Sequence, residues 1–197
     1  MKIIDEVLKL LKSNDGYLNI TTAKENGIDG KTLQRLTNAN VLERAAHGLY
    51  IGRDTFPNSF VIAQHQCSKG IFSHDSALFL HRFSDREPLN LTMTVPTGWN
   101  AHRLKNLDMS FFYNNPKKMQ LGVCEVRTEA RVVVKAFDIE RTLCDCLIYI
   151  DRLDRDVVIK ALKDYLKSSN RDVAKLLEYA TVLKIRDMVY RYVEVLT

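Results

Sequence analysis

The chain has 197 residues, 46% of them hydrophobic and 27% charged, and carries a formal net charge of +5. These proportions are typical of a globular protein, no apolar run approaches the ~20 residues of a membrane helix, and the amino terminus has no signal-peptide pattern. Four cysteines are too few for a disulfide framework at this length, so we expect reduced thiols in a cytoplasmic protein without membrane association. The small positive charge permits nucleic acid as a partner without requiring it.

A proline-containing polar segment, Asp54–Ser59 (DTFPNS), indicates a boundary between two domains. We therefore predict an N-terminal domain over residues 1–56 and a larger second domain over residues 57–197. The basic excess is shared between the two halves. Residues 1–53 contain 8 Lys and Arg against 6 Asp and Glu, and residues 54–197 contain 21 against 18.

The N-terminal domain begins with a predicted helix, a short strand and a second helix. Apolar residues at helical spacing within Ile3–Leu11 indicate an amphipathic helix. Tyr17–Ile20 is predicted as a short extended segment. Thr22 and Glu25 have the spacing of a capping box, so we expect the second helix to begin at Thr22 and to end at Gly27.

A third helix and a hairpin follow. Asp29 is predicted to cap a helix that runs to about Ala39. Two short apolar strands, Val41–Arg44 and Gly48–Ile51, then flank a tight turn at His47-Gly48, where glycine tolerates positive φ. The order helix, strand, helix, helix, hairpin is that of a winged helix-turn-helix.

The third helix is polar apart from Leu33 and Leu36, which we expect to be buried. A polar helix of this kind fits the major groove of DNA, and the hairpin tip would then lie along the sugar–phosphate backbone. The alternatives are a solvated helix face and a winged helix that docks another protein; we favour DNA binding. The residues of this domain predicted to contact DNA are Lys24, Lys31, Thr32, Gln34, Arg35, Asn38, Arg44, His47 and Arg53.

The second domain is predicted to combine a small sheet with a helical C-terminal half, which makes the whole chain α+β. Ser73 is predicted to cap a helix within Ile71–Asp85, with Asp75 in its first turn. The other predicted elements are a helix over Asn58–Cys67, strands over Leu89–Pro96, Asp108–Asn114 and Gly122–Phe137 (two strands), and helices over Asp138–Ile150, Val157–Ser168, Asp172–Leu183 and Ile185–Leu196.

Residues of catalytic types occur in the second domain, but each pattern has a structural interpretation that we favour. Ser73, His74 and Asp75 have the residue types of a hydrolase triad, yet a triad is assembled by geometry, and neighbours at a helix start point in different directions. No cysteine or histidine spacing matches a zinc site, and no glycine loop could cradle a phosphate. We expect no enzymatic activity, no cofactor and no metal.

The segment FDIERTLCD contains four charged side chains on one predicted helix. They suggest either acid–base chemistry or local capping and i,i+4 interactions, and we favour the local interactions. These residues are Asp138, Glu140, Arg141 and Asp145.

A basic segment runs from His102 to Lys118 and contains one acidic residue, Asp108. Solvated surface charge and an extension of a DNA-binding face explain it equally well. If it does extend that face, the contacting residues are Arg103, Lys105, Lys117 and Lys118.

Four segments in this order give the chain a resemblance to the AbiEi-type antitoxins of bacterial toxin–antitoxin systems; they are HGLYIGRD, FSHDSALFLHRFSDREP, LTMTVP and FDIERTLCD. The resemblance implies a type IV antitoxin of an abortive phage infection system. Its winged helix would repress its own operon by binding inverted operator repeats in double-stranded DNA, with self-association on that DNA. Its second domain would counteract a nucleotidyltransferase-like toxin without a stable complex. The alternative is a winged-helix protein-interaction module for which DNA is irrelevant.

Overall fold

A computed structural model describes residues 2–104 and 108–196. Within these ranges it contains ten α-helices and two β-sheets, so the predicted α+β class is confirmed. The chain divides into two compact units. The first consists of the residues up to Ser68 together with Arg127–Val134, and the second consists of the remainder. The first unit therefore extends beyond the predicted domain of residues 1–56.

The first unit contains four helices and a three-stranded antiparallel sheet of strand order β1-β3-β2. The predicted order of its elements occurs in the structure. They are α1 (Lys2–Ser13), β1 (Tyr17–Asn19), α2 (Ile20–Glu25), α3 (Gly30–Asn38), β2 (Leu42–Ala46), β3 (Leu49–Gly52) and α4 (Ser59–Gln66).

The start of α2 differs from the prediction. Asn19 is the cap, and its side chain accepts a hydrogen bond from the backbone N–H of Thr22 at 2.8 Å. The helix consequently begins two residues before Thr22, and the predicted capping box is wrong. Asn19 takes this role because it ends β1 in the extended conformation that a cap residue needs. Asp29 caps α3 as predicted, accepting from the Thr32 N–H at 2.7 Å.

The sheet of the first unit contributes side chains to two cores, because consecutive strand residues point to opposite faces. Leu18 and Tyr50 lie in one core with α1, α2 and α3. Tyr17 and Leu49 lie in another, together with Val61 of α4. Ala130 and Val132 also pack there, which is why the distant segment Arg127–Val134 belongs to this unit.

The second unit is built on a five-stranded mixed sheet of order β6-β5-β4-β8-β7. Strand β5 runs parallel to β6 and antiparallel to β4, and β4 runs parallel to β8. Its elements, including the strands that cross the unit boundary, are β4 (Ile71–Phe72), α5 (His74–Leu80), β5 (Leu91–Pro96), β6 (Met109–Asn114), α6 (Pro116–Met119), β7 (Val123–Arg127), β8 (Val133–Phe137), α7 (Ile139–Ile148), α8 (Arg155–Lys167), α9 (Val173–Val182) and α10 (Arg186–Leu196).

The second unit also has a helical core. Leu143, Cys144 and Leu147 of α7 pack with Leu162 of α8 and Leu176 of α9. Short 3-10 helices at Ala101–Leu104 and Ile150–Arg152, and the four-residue helix α6, were not predicted, because such pieces are too short to show a periodic pattern. No helix in the described ranges is long and apolar enough to cross a membrane.

Candidate functional site

Helix α3 presents a polar face that the core does not use. Leu33 and Leu36 are buried, so the rest of the helix points away from the core of the first unit. Lys31, Gln34, Arg35 and Asn38 are all exposed, and the Gln34 amide donates to the Asn38 side chain at 3.1 Å. Thr32 is half-buried, and its backbone N–H donates to Asp29 Oδ1.

The positive charges near the start of α3 affect the pKa of Asp29. The hydrogen bonds from Thr32 lower this pKa, and the positive charges of Lys31 and Arg35 lower it further. Neither of these cations forms an ion pair with another residue in the described ranges. The face therefore combines two free cations with an amide pair that can both donate and accept hydrogen bonds.

The end of α3 leads directly into the hairpin. Asn40 adopts φ +56°, a left-handed conformation that asparagine tolerates better than most residues. The Val41 N–H then bonds to the Leu36 carbonyl at 3.0 Å, which closes the helix. Leu42 packs in the same core as Leu36. The hairpin of β2 and β3 is thus fixed beside the helix.

Arg44 and His47 meet at the hairpin tip. An Arg44 Nη2 atom lies 3.0 Å from His47 Nδ1, and Gly48 makes the turn with φ +74°. A guanidinium can only donate, so His47 Nδ1 accepts and the ring proton is on Nε2. His65 of α4 approaches the His47 carbonyl at 3.1 Å and supports the turn from the other side. Both predicted backbone-contacting residues are therefore held in one cluster.

Lys24 and Arg53 lie elsewhere in the first unit. Lys24 is exposed on α2. Arg53 is exposed just after β3, where it lines a cavity of about 500 Å³ together with Thr37, at the C-terminal end of α3, and with Glu43. Arg53 is thus near the polar helix, whereas Lys24 is on a different helix.

The predicted basic segment falls in the second unit. Lys117 is exposed and Lys118 is half-buried on α6. The Lys118 carbonyl accepts a hydrogen bond from Arg141 at 2.7 Å, which fixes the backbone there. The Arg103 side chain and Lys105 lie outside the described residues.

Arg127 is a basic residue of the first unit that is not among the predicted DNA-contacting residues. It lies at the end of β7, and its Nη1 atom donates to the Arg131 carbonyl at 2.9 Å. Both arginines line a cavity of about 450 Å³ in the first unit together with His65. The apolar residues Ala130 and Val132 could have indicated that this segment packs against another part of the protein. Apolar side chains at the tip of a hairpin are usually buried in a contact.

The charged residues at the start of α7 form a long-range network. Lys175 Nζ lies 2.9 Å from Asp138 Oδ2 and 3.1 Å from Glu140 Oε2. The Tyr179 hydroxyl donates to Asp138 at 3.1 Å, and the Tyr165 hydroxyl donates to Glu140 at 3.0 Å. Burial alone would lower the pKa of Lys175, but its hydrogen bonds to the two carboxylates raise it. The network therefore ties α7 to α8 and α9.

Arg141 is fully buried and bonded on several sides. Its Nε atom donates to both Asp145 oxygens at 3.1 and 3.0 Å, so the predicted i,i+4 interaction is confirmed. Its Nη1 atom donates to the carbonyls of Lys118 and Leu121 at 2.7 and 3.0 Å. The guanidinium also lies 4.4 Å from the centre of the Phe137 ring. Burial raises the pKa of Asp145 to about 6, against the effect of Arg141.

The Ser73-His74-Asp75 segment is arranged differently from the prediction. Ser73 is at the cap position, but its side chain makes no capping hydrogen bond, because Oγ instead contacts Thr94 Oγ1 and His74 Nδ1, each at 2.9 Å. The expectation that these neighbours point apart is therefore wrong for Ser73 and His74. The His74 ring is buried and stacks 3.8 Å from Phe112, and burial lowers its pKa to about 3. The imidazole is consequently neutral.

The chain matches no protein-family model and no curated protein sequence. Among solved structures it is similar to the crystal structure of RV2827C protein from Mycobacterium tuberculosis, with a TM-score of 0.61 and 11% sequence identity. The match covers 92% of this chain and 72% of that chain. At this identity the similarity concerns the fold alone, and it supports the mixed α+β architecture.

Proposed function

We propose that this chain is a winged helix-turn-helix repressor that binds double-stranded operator DNA through α3 and the β2–β3 hairpin. The observation that carries the proposal is the exposed polar face of α3, whose cations have no partner among the described residues, beside the Arg44–His47 cluster. An α-helix fits the major groove, where Arg pairs with guanine and Asn or Gln with adenine. Arg35, Gln34 and Asn38 are residues of these types on one face.

The hairpin tip would contact the sugar–phosphate backbone. Arg44 has further guanidinium N–H groups besides the one that contacts His47. The His47 ring has its Nε2–H, because Nδ1 accepts in that contact. Such contacts fix the register of the helix on DNA without reading sequence. They also release counterions, so affinity should fall as salt rises.

We further propose that the chain is a type IV antitoxin of the AbiEi kind that represses its own operon and opposes a nucleotidyltransferase-like toxin. This part rests on the sequence resemblance. The second unit would provide the antitoxin activity, because it has its own sheet and a helical core that does not involve α3. Operator binding and toxin antagonism would then be separable by mutation.

The DNA-binding proposal is tested by fluorescence anisotropy with the DNA upstream of the gene. Lys31→Ala/Arg35→Ala should weaken binding by about 1–3 kcal/mol for each side chain that pairs with a base, and should change the base preference. The matched control is Lys163→Ala/Arg155→Ala on α8, which removes the same charge from exposed positions of the second unit. Equal affinities of the α3 variant and the control would contradict the proposal.

The antitoxin proposal is tested with the charge reversal Lys31→Glu/Arg35→Glu in the full chain. Exposed positions of this kind change stability by about 0.5 kcal/mol at most, so the protein should remain folded. We expect loss of repression in a promoter-reporter assay and full rescue of cells that express the neighbouring toxin. A folded, abundant variant that fails to rescue would show that the two activities are not separable.

One observation favours a second candidate, a protein-docking function of the first unit. Helix α1 exposes three large apolar side chains, Ile3, Ile4 and Leu8, at 44%, 38% and 49% of their surface. Apolar side chains grouped on one helix are typical of contact surfaces between proteins. Salt dependence separates the candidates: DNA affinity falls steeply with salt, whereas binding through these residues should be nearly insensitive to it.

A further inference from the structure

The second unit contains a cavity that neither DNA binding nor toxin antagonism explains. It has a volume of about 320 Å³ and lies beside β5, β6 and the start of α8. Four charged side chains line it, Asp75, Asp154, Arg86 and Arg152, together with the ring of Phe112. This volume is within the range of about 300–1,000 Å³ that small-molecule sites occupy.

Asp75 supplies an unused acceptor. Its Oδ1 atom is buried, and no hydrogen-bond donor of the described residues reaches it. Burial raises the pKa of this carboxyl, and the nearby Asp154 raises it further. A buried carboxylate oxygen without a donor is costly, because it has lost its hydrogen bonds to water. A ligand that brings an N–H group to Oδ1 would remove that cost.

Arg86 and Arg152 supply the opposite chemistry. Both are exposed at the cavity, and neither forms an ion pair with another residue of the described ranges. The Arg152 guanidinium lies 5.6 Å from the centre of the Tyr149 ring. Guanidinium groups bind phosphate through parallel N–H bonds. A single water would satisfy Asp75, whereas an anion would in addition complement the positive charge of the two arginines.

The wall next to Asp75 is aromatic and held under strain. His74 has φ +50°, an unfavourable conformation for a residue with a Cβ atom, and its ring stacks 3.8 Å from Phe112. Its Nε2 atom is buried and also has no partner among the described residues. Strained backbone of this kind persists where surrounding contacts impose it, often beside ligand sites. Here the left-handed conformation of His74 sets the direction of the backbone at Asp75.

We propose that this cavity binds a mononucleotide. The amino or ring N–H groups of the base would donate to Asp75, Phe112 would contact the base, and Arg86 and Arg152 would bind the phosphate. A ligand with donors at one end and an anion at the other matches the two acidic and two basic side chains that line the cavity. The site lies within the second unit, so it does not depend on operator binding by α3.

Isothermal titration of the full-length protein with AMP, GMP, CMP and UMP tests the proposal, with inorganic phosphate and free lysine as comparison ligands. We expect at least one mononucleotide to bind more tightly than phosphate or lysine. Asp75→Asn and, separately, Arg86→Ala/Arg152→Ala should each weaken that binding by about tenfold or more, the equivalent of one hydrogen-bonded contact. Arg155→Ala, an exposed arginine on α8 outside the cavity, should leave it unchanged.

Three results would overturn the proposal. They are the absence of binding by all four nucleotides, equal affinity for phosphate alone or for lysine, and nucleotide binding that survives the arginine double variant. Circular dichroism verifies that each variant is folded. If Asp75→Asn does not fold, the double variant still decides the outcome, because both of its positions are exposed.

Discussion

Helices α3 and α7 begin alike and end up in opposite environments. Each follows an aspartate that accepts a hydrogen bond from the backbone N–H three residues later, at 2.7 Å for Asp29 and 2.9 Å for Asp138. Each also carries an arginine. Arg35 of α3 is exposed, whereas Arg141 of α7 is fully buried.

The difference lies in what surrounds the two guanidinium groups. Arg141 has a carboxylate and two carbonyls as fixed acceptors, and a cation can be buried only with such partners. Arg35 has no ion pair within the described ranges, and the fold does not need its charge. The charges of α7 therefore stabilise the second unit, and those of α3 are available to a ligand.

The largest expected effect comes from replacing the two arginines in the same way. Arg141→Met leaves Asp145 buried without its cation and should lower the free energy of unfolding by about 3–5 kcal/mol. Arg35→Met should change it by no more than about 0.5 kcal/mol. Urea denaturation followed by circular dichroism measures both. Similar small losses in the two variants would mean that the buried Arg141–Asp145 pair contributes little to stability. They would contradict the proposed difference between the charges of α7 and α3.

The next effect is a pH dependence that only the buried polar region should show. Burial and, to a smaller extent, the positive charge of Arg141 lower the pKa of His74 from 6.5 to about 3. The unfolded chain therefore binds a proton below about pH 6.5 that the folded chain does not. The contribution of His74 to the free energy of unfolding should fall with decreasing pH, by up to about 1.4 kcal/mol per pH unit.

His74→Asn isolates this contribution, since asparagine tolerates the left-handed backbone and does not titrate in this range. The raised pKa values of Asp75 and Asp145 act in the opposite direction, but they do so in both proteins and cancel in the difference between them. Urea midpoints between pH 7 and 5 should thus fall more steeply for the natural protein than for the variant. Parallel curves would contradict the assignment of a neutral buried His74.

A pair of glycines provides the most closely matched test. Gly122 and Gly27 have nearly the same φ, +73° and +76°. A Cβ atom at Gly122 would lie 2.7 Å from Arg141 Cβ, whereas no atom of the described residues would lie within 4 Å of a Cβ atom at Gly27. Both alanine variants carry the left-handed cost of about 1–2 kcal/mol, and Gly122→Ala should add about 1–3 kcal/mol from the close approach. Equal losses of stability would show that Arg141 and its neighbours can move to accommodate the added methyl group.

Local patterns in the sequence determined much of the first unit and of its candidate interface. The Asp29 cap, the two buried leucines of α3 and the hairpin around Gly48 all follow from residues within a few positions of one another. The same holds for the Arg141–Asp145 pair, which spans one helical turn. Capping, helical periodicity and tight turns depend on short-range geometry, so they can be predicted from short stretches of sequence.

Only the tertiary structure decided which charges are buried and which distant segments join a unit. Arg127–Val134 belongs to the first unit, and Lys175 reaches Asp138 and Glu140 from a helix more than thirty residues away. Likewise, the cavity beside Asp75 is assembled from separate stretches of the second unit. Propensities and spacings describe neighbours along the chain. Partners that are far apart in sequence are chosen when the sheets and helices pack, because that packing removes their water and leaves other side chains as the available acceptors and donors.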